Sequence, residues 1–138
     1  MAKVSGAKQH TAHLKRIRGA TMTKEIGKAI YVSADALATD AALSITAGSI
    51  SGKGHIASKP GEPPNADTQV LNRSIEATKT GPLTAETSAN APYATALEFG
   101  TSKMPARPYM KPAAERTRPK AVALVRKAVS RVVNKGSL

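Results

Sequence analysis

The chain contains no cysteine, and only four of its 138 residues are aromatic. Without cysteine there can be no disulfide, thiolate metal site, iron–sulfur cluster or cysteine nucleophile. Each aromatic side chain buries about 150–250 Å² on folding, whereas the 25 alanines bury little area each. The composition therefore predicts a thin hydrophobic core, and we expect contacts between subunits to supply part of the stability.

Long apolar runs are also missing. The longest, residues 121–125, is far shorter than the ~20 residues of a membrane-spanning helix. No apolar stretch follows Lys3, so neither a secretory signal nor a lipidation motif is expected. A chain of this length suits a soluble protein with a single domain, residues 1–138.

Negative charge is scarce as well. Nine acidic residues stand against 21 lysines and arginines, which gives a net charge of +12. Residues 103–138 alone hold ten basic side chains and one acid, Glu115. Such a field attracts nucleic acid, anionic lipid or an acidic protein surface. A solvated helix face explains the same residues equally well, so the composition leaves both interpretations open.

Helical periodicity appears at both ends of the chain. Residues 7–18 form a short basic helix that ends at Gly19, and a long helix is expected over 22–47, with Thr21 as its N-cap. Gly48 is expected to end the long helix. Its apolar stripe consists of Ile26, Ile30, Ala34, Leu37, Ala41 and Ile45.

A basic C-terminal helix is predicted over 112–135. Pro112 suits its first turn, whereas Pro119 in its interior predicts a kink or a break. The expected apolar stripe consists of Val122, Val125, Val129, Val132 and Val133.

The middle of the chain reads as a loop followed by a small sheet. Residues 48–66 hold four glycines and three prolines without a period, which predicts an extended loop or arm that orders on assembly. After a helical turn near Leu71, residues 74–88 alternate as a β-hairpin, and 93–100 favour a short helix over a strand. Residues 101–112 should be extended. The predicted fold class is α+β, with the two long helices packed on a small antiparallel sheet.

Residues that could carry catalysis are few. His10 and His13 share a basic helix with no third metal ligand nearby, and His55 lies in the loop without a Gly-x-Ser-x-Gly nucleophile motif. The segment 52–54 lacks the spacing of a phosphate-binding loop. We therefore expect no enzyme and assign no catalytic, cofactor or metal residue. Zinc fingers, zippers and aromatic base-stacking patterns are also missing, so sequence-specific DNA binding is not expected.

Two longer stretches, 52–75 and 97–113, carry ordered motifs. Together they resemble the neck or tail-completion family of long-tailed bacteriophages and prophages, also called head-tail joining or gene-product-ten-like proteins. That family combines Asp-Thr-Gly-x-Leu-x-x-Ser-Ile, Ala-Pro-Tyr-Ala, Glu-Phe-Gly-Thr and Arg-Pro-Phe/Tyr segments. The matching residues are Asp67, Thr68, Leu71, Ser74, Ile75, Ala91, Pro92, Tyr93, Ala94, Glu98, Phe99, Gly100, Thr101, Arg107, Pro108 and Tyr109. One departure is Gln69, where the family commonly has glycine.

The resemblance implies a virion protein that is assembled in the host cytoplasm and forms a ring at the head-tail junction or the head-proximal end of the tail. Its partners would be identical subunits, six preferred and twelve as the alternative, together with the head connector or stopper and the tail tube. DNA would pass through the pore without sequence-specific contact. The side chains that could face the lumen or a partner are Arg116, Arg118, Lys120, Arg126, Lys127 and Arg131.

The block 98–109 also has an interpretation that needs no partner. Phe99 and Tyr109 are rare large side chains, so packing into the core is the favoured role for both. Gly100 is expected to form a tight or positive-φ turn. For the whole chain, a small nonspecific DNA-binding protein is the alternative to a ring protein.

Overall fold

The computed structural model describes residues 5–48, 50 and 52–135, and it has the predicted α+β architecture. Residues 1–4, 49, 51 and 136–138 lie outside this part, and two of them, 49 and 51, are positions of the expected loop. A long N-terminal helix and a long C-terminal helix pack on a two-stranded antiparallel sheet. In chain order, the elements are α1 (Ala7–Arg18), α2 (Ala20–Thr46), a 3-10 turn (Gly52–Gly54), α3 (Val70–Arg73), β1 (Ile75–Gly81), β2 (Thr84–Ala89), α4 (Ala94–Phe99) and α5 (Met110–Asn134).

The long helix α2 starts two residues earlier than predicted. Gly19, in an extended conformation, is its N-cap, and Thr21 lies inside the first turn, so the assignment of Thr21 as the cap is wrong. The helix ends at Thr46, and the backbone N–H of Ala47 donates to the Leu43 carbonyl. Of the predicted stripe, Ala41 and Ile45 are fully buried.

The C-terminal helix α5 begins at Met110 and continues through Pro119 without a break. Proline removes the N–H that would bond to the Glu115 carbonyl, but residues 115 and 119 are both exposed. Water can therefore satisfy that carbonyl, which explains why the expected break does not occur.

The contact between α2 and α5 uses small side chains. On α5 the buried residues are Ala113, Thr117, Ala128 and Val132, whereas Val122 of the predicted valine stripe is 45% exposed. Ala113 and Thr117, like Ala128 and Val132, are four residues apart and share one face of α5, and Val122 lies off that face. Among the described residues, the largest side chains that are fully buried are Tyr109 and Ile45. The core is as thin as the composition predicts.

The hairpin lies flat on α2. β1 and β2 pair antiparallel in the register Thr78↔Glu86, and both strands contact the helix. The Thr87 hydroxyl donates to the Ala34 carbonyl at 2.8 Å. An isolated two-stranded sheet is marginal in water, so α2 supplies the surface on which this hairpin is stable.

The loop expected over 48–66 is only partly an arm. In its second half, the Gly61 N–H donates to the Ala106 carbonyl at 3.0 Å and the Ala66 N–H donates to the Ile45 carbonyl at 3.1 Å. Ser58, Pro64 and Ala66 are buried. The second half of the loop is therefore attached to the body at Ser58, Gly61 and residues 64–66, although residues 59–62 remain exposed.

Candidate functional site

The first candidate site is the segment that links α4 to α5. One carboxylate oxygen of Glu98 accepts hydrogen bonds from the backbone N–H groups of Tyr109 (2.9 Å) and Met110 (3.0 Å), and the other accepts from the N–H of Lys111 (3.0 Å). Helices begin with N–H groups that have no partner within the helix, and a negative charge is favoured there. Glu98 therefore fixes the start of α5 at Met110, ahead of the predicted Pro112.

Tyr109 anchors the same segment in the core. It is 1% exposed, and its hydroxyl donates to the Ala94 carbonyl at 3.4 Å. Burial, followed by the nearby charges of Glu98 and Tyr93, raises the pKa of Tyr109 from 10.0 to about 12. The phenol of the folded chain is therefore neutral at neutral pH. The expected core role of Tyr109 is confirmed.

Phe99 does not pack into the core, so that part of the prediction is wrong. Its side chain is 78% exposed. The next residue, Gly100, has φ 74°, which confirms the expected positive-φ turn, and a Cβ there would lie 2.8 Å from the Ala106 nitrogen. The turn sends the chain back towards α5, and Phe99 remains on the outside of it.

Arg107 ties this segment to the loop. Its backbone N–H donates to the Leu97 carbonyl at 2.7 Å, and its Nε donates to the Ser58 carbonyl at 3.2 Å. Thr101 forms a short antiparallel bridge with Met104. These two motif residues, with the half-buried Pro108, therefore shape the connection rather than a binding pocket.

The motif residues before the hairpin meet Tyr93 on one surface. A groove of about 320 Å³ is lined by residues 64–71 together with Tyr93 and Leu97, and this brings Asp67, Thr68 and Leu71 next to the Ala-Pro-Tyr-Ala segment. Leu71 is buried, whereas Tyr93 is 42% exposed. The structure thus joins two motif segments that lie more than 20 residues apart in the sequence.

Gln69, between Thr68 and the start of α3, adopts φ 62°. It is the one non-glycine residue with positive φ in the described part of the chain. Its side-chain oxygen accepts a hydrogen bond from Asn72 Nδ2 at 2.6 Å. A left-handed conformation is where glycine is favoured, so the departure of this chain from the resembled motif falls at a position whose backbone suits glycine.

Comparison with family models, with curated proteins and with solved structures finds no match for this chain. No helix within the described ranges is both long and apolar enough to cross a membrane. These ranges also hold no group of three or more histidine, aspartate or glutamate residues that could bind a metal ion.

The six cationic residues proposed for α5 are all exposed, but they do not form one surface. Arg116 lies within 2.6 Å of Asp40 in an ion pair with α2. Arg118 borders a groove between α2, β2 and α5, whereas Lys127 and Arg131 line another groove between α2 and α5. Arg116 is therefore engaged with α2, Arg118 and the pair Lys127 and Arg131 lie at different grooves, and Lys120 and Arg126 line neither groove.

Sequence reasoning missed Lys28 as a candidate residue. It lies on α2 and lines the same groove as Lys127 and Arg131, about 100 residues later in the chain. The excess of basic over acidic residues in the first 28 positions was a usable signal. The pairing of α2 with α5, which brings these cations together, is a tertiary contact that no local pattern reports.

Proposed function

We propose that this chain is a structural virion protein that forms a ring in the phage neck, at the head-tail junction or the head-proximal end of the tail. It completes or terminates the tail, binds the head connector or stopper and the tail tube, and lets DNA pass through its pore. Six subunits are the preferred number and twelve the alternative. The resemblance of the motif segments suggests this role, and three structural features support it.

The observation that carries the proposal is the exposure of Phe99. Burying a large apolar side chain stabilises a protein by about 1.5–3 kcal/mol, yet the one phenylalanine of a core-poor chain is 78% exposed. Phe99 lies between Glu98, which binds the start of α5, and Gly100, which forms the tight turn. Its outward position is thus built into a braced segment, as expected for a residue that a neighbouring subunit covers.

A head-to-tail ring also needs a second, different surface to receive such a residue. The groove between α2, β2 and α5 encloses about 640 Å³. Ile30, Leu37 and Met110 contribute partly buried apolar side chains to its walls. A protruding aromatic residue and an apolar groove on one chain are the two halves of a heterologous interface.

The left-handed backbone at Gln69 supports the resemblance on which the proposal rests. The resembled motif commonly has glycine there, and a conformation that favours glycine is the geometry such a motif requires. This chain thus has a left-handed backbone at the position where the resembled motif commonly has glycine.

Light scattering coupled to size-exclusion chromatography, with electron microscopy of the eluted particle, tests the proposal. We expect the full chain to form ring-shaped oligomers and Phe99→Ser to shift them towards monomer. The matched control is Leu83→Ser, which also removes an exposed apolar side chain, 46% exposed, at the hairpin turn. A wild-type chain that stays monomeric at high concentration and binds neither connector nor tail-tube protein would contradict the proposal.

A small nonspecific DNA-binding protein is the second candidate, favoured by the net charge of +12. It predicts tight binding of duplex DNA by the isolated subunit, with a steep dependence on salt. The ring proposal predicts weak affinity of a single subunit and a defined oligomer. Measuring the mass and the DNA affinity of the same sample therefore distinguishes the two functions.

A further inference from the structure

Three helices bring their positive charge to one end of the molecule. α2 and α5 run antiparallel, since Arg116 pairs with Asp40 near one end while Lys28 lines a groove with Lys127 and Arg131 near the other. α1 packs against both helices, and its last residue, Arg18, is separated from α2 by Gly19 alone. The start of α2 and the end of α5 therefore meet beside α1.

We call this region the cationic end. Its segments, residues 7–28 and 124–135, contain ten basic side chains and a single acid, Glu25. All ten are at least partly exposed, and within the described part of the chain none of them forms an ion pair. The ten residues are Lys8, Lys15, Arg16, Arg18, Lys24, Lys28, Arg126, Lys127, Arg131 and Lys135.

The rest of the chain is much closer to neutral. Residues 29–123 hold ten basic and eight acidic side chains. The net charge of the protein is therefore a property of one end, and the field at that end is far stronger than an even spread would give. Unpaired cations gathered in this way repel one another, which costs stability unless a polyanion binds to them.

From this geometry we infer that the cationic end binds the phosphate backbone of duplex DNA. The inference deepens the DNA-passage part of the proposed function and rests on it for the choice of polyanion. The segments 7–28 and 124–135 contain no aromatic residue, so they offer neither a stacking platform for single-stranded bases nor the aromatic anchors typical of a protein interface. Lysine and arginine without aromatics suit contact with phosphates that does not read sequence.

Three of these cations, Lys28, Lys127 and Arg131, lie together in the fold, beside the acid Glu25. They line one groove of about 130 Å³ between α2 and α5 and are all exposed. The inference assigns DNA contact to this group, and not to Arg116, which is already paired with Asp40. Among the six candidate residues of α5, the position in the fold thus separates Lys127 and Arg131, assigned to DNA, from Arg116, which pairs with α2.

A salt-dependent binding titration of the full chain with a labelled mixed-sequence DNA duplex tests the inference. The test variant combines Lys28→Gln, Lys127→Gln and Arg131→Gln. The control combines Lys53→Gln, Lys59→Gln and Lys103→Gln, which remove the same charge from exposed sites outside the cationic end. We expect the test variant to lower the slope of log affinity against log salt by about 2–3 and the control to lower it by less than one.

Equal losses in the two variants, or no duplex binding by the wild-type chain at low salt, would overturn the inference. Displacement of the duplex by polyglutamate at equal charge concentration would overturn it in favour of an acidic protein partner. Tighter binding of single-stranded DNA than of the duplex would overturn the assignment of contact to the duplex phosphate backbone. Circular dichroism of both variants checks that they are folded. Oligomer mass is measured on the same samples. If rings form but do not bind DNA, this inference alone is overturned. If a monomer binds DNA, the ring proposal is overturned.

Discussion

The Glu98 carboxylate accepts a hydrogen bond from the backbone N–H of Tyr109, eleven residues later in the chain, at 2.9 Å. Glu98 thereby caps the start of α5. The two residues stabilise this junction in different ways. The carboxylate satisfies N–H groups that the helix leaves unpaired, and the phenol ring fills the core beneath them. This pairing holds the segment that exposes Phe99.

The first prediction concerns the Glu98 carboxylate. Glu98→Gln should lower the free energy of unfolding by about 1–3 kcal/mol, because one acceptor oxygen becomes an NH₂ group facing a backbone N–H. Urea denaturation measures the change. Glu86→Gln, on the exposed side of β2, is the matched control and should change stability by less than about 0.5 kcal/mol. Equal effects of the two variants would contradict the capping role of Glu98.

The second prediction concerns alkaline pH. The pKa of Tyr109 is about 12 in the folded chain and 10.0 without the surrounding structure. The folded state therefore keeps a proton that the unfolded state loses. The resulting stability is fully present below pH 10 and disappears as the pH rises from about 10 to 12, a loss of about 2–3 kcal/mol.

Tyr109→Phe isolates this effect from the titration of lysines. The variant should be less sensitive than the wild type over the same pH range in urea denaturation, because it has no phenol to ionise. Parallel pH curves for the two proteins would contradict the prediction, because they would show that folding does not raise the pKa of Tyr109.

The third prediction concerns the contact of α2 with the hairpin turn. A Cβ on Gly27 would overlap the Pro82 carbonyl oxygen, so alanine cannot fit without moving the turn. Gly27→Ala should destabilise the protein by about 1–3 kcal/mol through overpacking, against the ~1 kcal/mol gain that alanine brings to a helix. A loss of stability thus indicates the clash with the turn, and a gain in stability would contradict it. Thr39→Ala on the exposed face of α2 is the control and should be neutral or slightly stabilising.

The fourth prediction concerns Gln69, which adopts φ 62°. Gln69→Gly should leave stability within about 1 kcal/mol of the wild type, because relief of the left-handed backbone offsets the greater freedom of the unfolded chain. Gln69→Val should destabilise by more than that, since β-branched residues tolerate positive φ poorly. Thermal unfolding of both variants checks the order. Equal stability of the glycine and valine variants would contradict a left-handed turn in solution.

Much of the fold could be predicted because local patterns dictate it. Apolar spacing predicted both long helices, alternation over residues 74–88 predicted the hairpin, and the glycine of Glu98-Phe99-Gly100-Thr101 predicted the positive-φ turn. The errors arose where a distant group decides the outcome. Glu98 sets the first residue of α5, and solvent exposure around Pro119 lets the helix continue.

The candidate site was less predictable, because burial and charge clustering depend on which elements meet. Phe99 and Tyr109 are both large aromatic residues, and the sequence does not indicate which of them is buried. In the structure Phe99 is exposed and Tyr109 is buried. The second half of the 48–66 loop looked free because its anchors, Ile45 and Ala106, lie elsewhere in the chain.

By itself, the sequence determined the α+β class, the thin alanine-rich core and the strong positive charge, since composition and periodicity act through neighbouring residues. Only the tertiary structure decided that Arg116 is paired with Asp40 and that Lys28 lies beside Lys127 and Arg131. Those outcomes follow from the antiparallel packing of α2 on α5. That packing brings together side chains about 75–100 residues apart in the chain, a separation that no local pattern encodes.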